Sequence, residues 1–328
     1  VSIRDAIIGF VIAIGTPTVQ GAELPLELVA TIPLPNVKGR IDHLAVDLKG
    51  HRLFVAALGN NTLEVLDVEA NRHLKSIPGF GEPQGLGYLP EGNRLYIANG
   101  DAGRVDILDG ASFTALKRVT HLDDADNLRY DSTRREVIVG YGSGALRILN
   151  ADTGESTGNI ALAGHPESFQ LDAAGGRAFV NVPSVRQVAV VDLMKRSVIA
   201  TWTMGDVRKN FPMALDDRGR RLFVGARAPP TLLIYDIDSG SVIAKLPIGG
   251  DTDDIFFDAE RKRVYVICGD GRVDVIAAGD RGVYSDRVSI PTAAGARTGL
   301  FVPEYGKLYV AAPATGNSTA RLLVYQRR

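Results

Sequence analysis

A single cysteine, Cys268, in a chain of 328 residues excludes an intrachain disulfide, a CxxCH haem attachment and a paired-cysteine zinc site. Ending the apolar run VYVIC, it reads as a small buried hydrophobe rather than a reactive thiol. One tryptophan and three methionines leave too little for an aromatic belt or a Met-rich binding surface. Charge of one sign is missing as well. With 37 basic and 38 acidic side chains the net charge is −1, so no global field draws nucleic acid or an anionic membrane. Basic residues with interleaved aromatics, the mark of a nucleic-acid groove, do not cluster.

Familiar catalytic signatures are absent too. There is no G-x-S-x-G, no H-E-x-x-H and no P-loop. GFGEPQG fails the G-x-G-x-x-G spacing and leads into a strand, so a nucleotide is not expected. The acidic loops HLDDADN and GGDTDD do not follow D-x-[DN]-x-[DN]-G, which argues against a dedicated calcium loop. The apolar stretch Ala6 to Gly15 is too short to span a bilayer. Preceded by Arg4 and followed by small and polar residues through Gly21 and Ala22, it has the layout of a secretory signal peptide over residues 1–22. The alternative is a buried strand or helix of the domain. The first reading makes residues 23–328 an exported bacterial domain, periplasmic or secreted, and a monomer without a membrane span.

What is abundant is repetition. The motif [Arg/Lys]-apolar-aromatic recurs at Phe54, Tyr96, Phe179, Phe223, Tyr265 and Tyr309, with Ile138 of EVI in the remaining slot. The spacings are 42, 42, 41, 44, 42 and 44 residues. Each copy is built of short β-branched and aromatic runs bounded by Gly, Asp or Pro, which is strand patterning. Four strands per copy of this length make a propeller blade. The predicted fold is all-β: a seven-bladed β-propeller of four-stranded antiparallel blades. The last copy stops after its third strand, and Leu26 to Ile32 is a strand with no blade of its own. It is expected to complete the last blade and close the ring. Asp67, Asp109, Asn150, Asp192 and Asp236 end the third strand of their copies and are read as turn formers.

The copy GEPQGLGYLPEGNRLYIANG resembles the blade of the YVTN family of bacterial seven-bladed propellers. Pro83, Gly85, Pro90, Glu91, Gly92, Arg94, Tyr96 and Asn99 carry the likeness, with Glu91 where the family usually has Asp. The resemblance implies the fold and an envelope location. Related propellers include surface-layer proteins, lactonases, a streptogramin lyase and subunits of periplasmic redox complexes, so it implies no single activity, and no catalytic motif carries over.

Propellers place ligands at one end of the channel, on loops leading into each innermost strand. Aligning those positions gives Asp42-His43, Gln84-Gly85, Asp126-Asn127, Glu167-Ser168, Phe211-Pro212, Asp253-Asp254 and Arg297-Thr298, with Arg40, Glu82, Asp124, His165, Lys209, Asp251 and Gly295 just upstream. Strand alternation does not say which member of each pair faces the axis. His43, Asp126, Glu167 and Asp253 are candidate ligands for a divalent ion such as Ca²⁺, Mg²⁺ or Mn²⁺. His43 or His165 would then be a general base, with Arg297 or Lys209 holding an anionic group. Arg40, Asp42, Gln84, Asp126, Lys209 and Arg227 are candidate ligand contacts. Two functions remain open: a binding or scaffold protein for a small molecule or a periplasmic partner protein, and a metal-assisted lactonase- or lyase-like enzyme. A third, implied only by the related propellers, is the accessory subunit of a periplasmic redox enzyme; against all three stands a solvated mouth in which Asp253 and Arg297 simply pair.

Overall fold

The computed structural model describes residues 23–172, 176–279, 283–316 and 318–328; the expected signal peptide, residues 1–22, lies outside them. Seven four-stranded antiparallel sheets follow one another around a ring. Blade 1 runs from Leu44–Asp47 at the channel to Arg72–Pro78 at the rim, and blades 2 to 6 repeat that order. Blade 7 takes its outermost strand from the other end of the chain. Leu26–Pro33 pairs antiparallel with Arg321–Arg327, placing Ile32 opposite Leu322. The closure that the strand count predicts is therefore present, and no described helix is long and apolar enough to cross a membrane.

The anchors explain why the blades stack. Phe54, Tyr96, Ile138, Phe179, Phe223, Tyr265 and Tyr309 are all 0% exposed. Each apolar cluster joins two neighbours rather than filling one blade: Phe54 and Leu63 of blade 1 pack with Leu95 and Ile97 of blade 2. Leu53 and Val55, on the other face of blade 1, pack with Tyr309 and Val324 of blade 7. A blade has two apolar faces and can bury them only between neighbours.

The turn-forming acids behave as their position predicts. Asp67 Oδ1 accepts from the backbone N–H groups of Glu69 and Ala70 at 3.1 and 2.9 Å. Asp109, Asn150, Asp192 and Asp236 make the same pair of bonds in their own blades. These side chains are occupied by structure. Asp236→Ala is expected to lower stability by about 1 kcal/mol in a urea titration and to leave any ligand affinity unchanged. Cys268 is fully buried, and burial pushes its thiol up to about 12, in line with its reading as a small hydrophobe.

Candidate functional site

The lead-in pairs owe their orientation to a β-bulge. Asp42 donates its backbone N–H to the Ala56 carbonyl at 2.8 Å, and Ala56 donates back to the His43 carbonyl at 3.1 Å. Two residues thus oppose one. Asp126 and Asn127 face Gly140 in the same way, as do Glu167 and Ser168 with Asn181. In blades 2, 5 and 6 the ladder register shifts at Gln84-Gly85, at Phe211-Pro212 and at Asp253. A bulge leaves both members of a pair free of strict alternation and re-aims their side chains. The result is uniform around the ring. The first member of every pair, Asp42, Gln84, Asp126, Glu167, Phe211, Asp253 and Arg297, lines one cavity of about 190 Å³ at the channel mouth. Arg40, His43, Asp124, His165 and Arg227 complete its wall.

Gly85, from the Pro-x-Gly of the repeat, has a role in this wall. A Cβ there would lie 2.1 Å from the backbone carbonyl oxygen of Asp126, so the close approach of blades 2 and 3 requires glycine. The repeat motif and the mouth are built from the same contact.

Three of the lining groups converge. Ligand atoms of Asp126, His165 and Glu167 all lie within 4.8 Å of one another. His165 Nδ1 donates to the Gly142 carbonyl at 2.7 Å, which fixes the ring and aims Nε2 at Asp126, 3.9 Å away. A metal-ligating imidazole is commonly oriented by just such a bond to a backbone carbonyl. Burial, with Asp126 next, raises the Glu167 carboxyl to about 8. Burial alone would lower His165, but Asp126, the Gly142 carbonyl and Asp124 outweigh it and hold the ring at about 9. Glu167 therefore keeps its proton mainly because it is buried, and His165 keeps its own because Asp126 and Asp124 face it. Five carboxylates line the cavity against three arginines and two imidazoles, which balance them while both rings are protonated; the balance turns negative once His165 gives up its proton, as ligating a cation requires.

The expected four-ligand set does not assemble as such. His43 turns away from Glu167 toward the channel, with Nδ1 3.3 Å from Asp254 and Nε2 3.5 Å from Asp42 and 3.1 Å from the Asn127 amide. It is a pin across the ring, and the imidazole that converges with Asp126 and Glu167 is that of His165. Asp253 is taken by two arginines, Arg227 Nη2 at 2.6 Å and Arg297 Nε at 2.9 Å. Both arginines also contact Asp251, at 3.3 and 3.0 Å, and Arg227 stacks 4.1 Å over Phe211. The Asp253–Arg297 pair between neighbouring blades is thus present, and neither Arg297 nor Arg227 is free to hold an oxyanion as drawn. Arg40 pairs with Asp42 at 2.9 Å and is half-exposed at the rim. Lys209 does not line the mouth. The bulge that carries Phe211 inward leaves Lys209 exposed on the extended strand Arg208–Asp216. Asp124 was placed only as an upstream residue, yet it lines the cavity beside His165.

One other cluster could be mistaken for a catalytic triad. Buried Glu64 sits 2.7 Å from His73 and accepts from Ser76 at 2.5 Å. The same imidazole nitrogen, Nε2, faces both Glu64 and Ser76, whereas a relay needs one nitrogen for each. This is a satisfied buried carboxylate.

No family model and no curated protein matches the chain. Among solved structures, a chain of Kuenenia stuttgartiensis hydrazine synthase superposes with a TM-score of 0.77 at 16% identity, over 89% of this chain and 97% of that one. A chain of a mitotic checkpoint complex superposes with a TM-score of 0.79 at 14% identity, over 99% of both. At these identities the likeness shows the seven-bladed propeller fold, and nothing of the activity carries over.

Proposed function

We propose that the protein is a small-ligand-binding propeller whose site is the channel mouth, and that Asp126, His165 and Glu167 hold a divalent cation there through which the ligand is bound. The convergence of one imidazole and two carboxylates beside an open cavity carries this reading. Two hard oxygens and one imidazole suit Mn²⁺ best of the ions expected, with Mg²⁺ and Ca²⁺ next. Three protein ligands leave coordination positions for a carboxylate or carbonyl of the incoming molecule. The YVTN resemblance of the repeats and the signal-like layout of residues 1–22 support an exported, periplasmic or secreted setting for it.

A second reading, a metal-assisted lactonase- or lyase-like enzyme, is favoured by one observation. Glu167, held at about 8 inside a cleft, exchanges its proton near neutrality. In this reading the cation, not Arg297, would polarise the carbonyl, since Arg297 is committed to Asp251 and Asp253.

Titration of the EDTA-treated protein with Mn²⁺ decides the first reading. About one equivalent should bind and raise the melting temperature, and His165→Ala should weaken binding by about 100-fold or more. No binding in wild type, or equal binding in the variant, rejects the cation site. Lactone hydrolysis by the Mn²⁺-loaded protein separates the second reading from the first.

A further inference from the structure

Below His43 the channel widens again. A separate cavity of about 420 Å³ is lined by the innermost strands, and His43 borders both it and the mouth. Six of the seven blades give its wall the residue paired with the anchor. Ala45 pairs with Phe54, Gly87 with Tyr96, Arg129 with Ile138 and Gln170 with Phe179. Phe256 pairs with Tyr265 and Leu300 with Tyr309. Five of these six wall positions are uncharged; Arg129 alone carries a charge. The cavity's other ionisable groups, apart from two tyrosines, are His43 and Asp254, which already face each other at 3.3 Å.

Arg129 has no ion-pair partner among the described residues. Its Nη1 donates to Asn127 Oδ1 and to the Leu128 carbonyl at 3.2 and 2.8 Å, and Nη2 reaches Ser168 Oγ at 3.4 Å. The Phe169 ring supports the guanidinium 5.5 Å from its centroid. Those contacts hold the plane and, among the described residues, leave Nε–H and one N–H of Nη2 without a partner. That edge is the one a carboxylate or phosphate takes in bidentate fashion. This fixed, half-buried guanidinium touches no carboxylate among the described residues; Asp254 and Asp126 act on it only from beyond contact, which leaves its charge in a space of low dielectric without a direct partner.

We propose that the channel holds a second ligand site, distinct from the mouth, in which Arg129 binds a small oxyanion of the carboxylate or phosphate class. His43 and its partners form the floor between the two sites, so the oxyanion and the cation occupy opposite sides of one pin. Gln170 and the Asn127 amide flank the guanidinium, and Phe256 and Leu300 form the apolar part of the wall. That composition fits an anion carrying a short apolar group better than a bare ion.

Calorimetric titration of the full chain with sodium phosphate and with sodium acetate, at fixed ionic strength in chloride, tests this. Either or both should bind in wild type, Arg129→Gln should weaken binding by at least about tenfold, and Arg129→Lys should restore part of it. Glu167→Gln, at the mouth, should leave oxyanion affinity unchanged, which separates this site from the cation site. If Arg129→Gln does not fold, the wild-type protein crystallised with selenate still decides the matter, since its anomalous peak should lie against the Arg129 guanidinium. No affinity in wild type for either anion, undiminished binding in Arg129→Gln, or selenate only at the mouth would overturn the proposal.

Discussion

His43→Ala is expected to cost about 3–5 kcal/mol of folding stability near pH 6.5, because it takes from Asp254 the cation it faces in the channel and leaves Asp42 with the half-exposed Arg40 alone. Burial by itself would lower the imidazole, but Asp254 and then Asp42 outweigh it and hold His43 at about 10, against an ordinary 6.5. The folded protein thus binds a proton that the unfolded chain releases. The stabilisation is complete below about pH 6.5 and is lost as pH rises through about 10. Denaturant titrations of wild type and variant should therefore converge toward pH 10. A deficit that stays constant between pH 6.5 and pH 10 would mean that His43 acts through packing and not through charge. His43→Gln, which keeps much of the shape and loses the charge, should show nearly the same pH-dependent deficit.

That a histidine chosen as a metal ligand serves as a pin shows where sequence reasoning reached its limit. The ring of polar lead-in residues was legible because the repeat has a fixed period, and the anchors count off equivalent positions in each blade. The aligned pairs then fall at the mouth wherever the blades stack. Which member of a pair turns inward was not legible. Alternation along a strand gives opposite faces to neighbours, and the bulge at Asp42-His43 suspends that rule without a residue signature of its own. Pairing across the ring was hidden for a related reason. His43 and Asp254 are far apart in sequence and belong to blades 1 and 6, and nothing local in DHLAV or GGDTDD announces the contact. The Asp253–Arg297 pair was visible because the two lie at equivalent positions of adjacent blades. His165 was found by position, and its ligand geometry comes from Gly142, a residue of the preceding blade. Arg129 lies below the mouth, outside the aligned lead-in positions. Its signal was available, as the one charge among residues paired with the anchors.

The same charge argument gives Glu167→Gln an unusual expected result: a metal-free protein more stable than wild type. Burial and the neighbouring Asp126 raise the Glu167 carboxyl from 4.5 to about 8, so the folded state holds its proton where the unfolded chain does not. For an acid shifted upward, wild-type stability falls as pH rises from about 4.5 to about 8 and stays low above it. Glutamine removes that loss. The variant should match wild type at pH 4 and exceed it by about 2–4 kcal/mol at pH 9, in denaturant titrations with EDTA present. Saturating Mn²⁺ should reverse the order. A cation on Asp126, His165 and Glu167 stabilises only the protein that binds it, by an amount that grows with the logarithm of its concentration over Kd. Wild type then gains and the glutamine variant does not. If Glu167→Gln is less stable than wild type at pH 9 without metal, His165 and Arg227 already supply the counter-charge, and the cost of holding a buried carboxylate charged, which a cation would relieve, is absent. If it is more stable and Mn²⁺ fails to restore the order, burial alone accounts for the raised carboxyl and the cation site is rejected. A site that costs stability when empty and recovers it on binding is a functional arrangement, because the same residues as a neutral set would fold better.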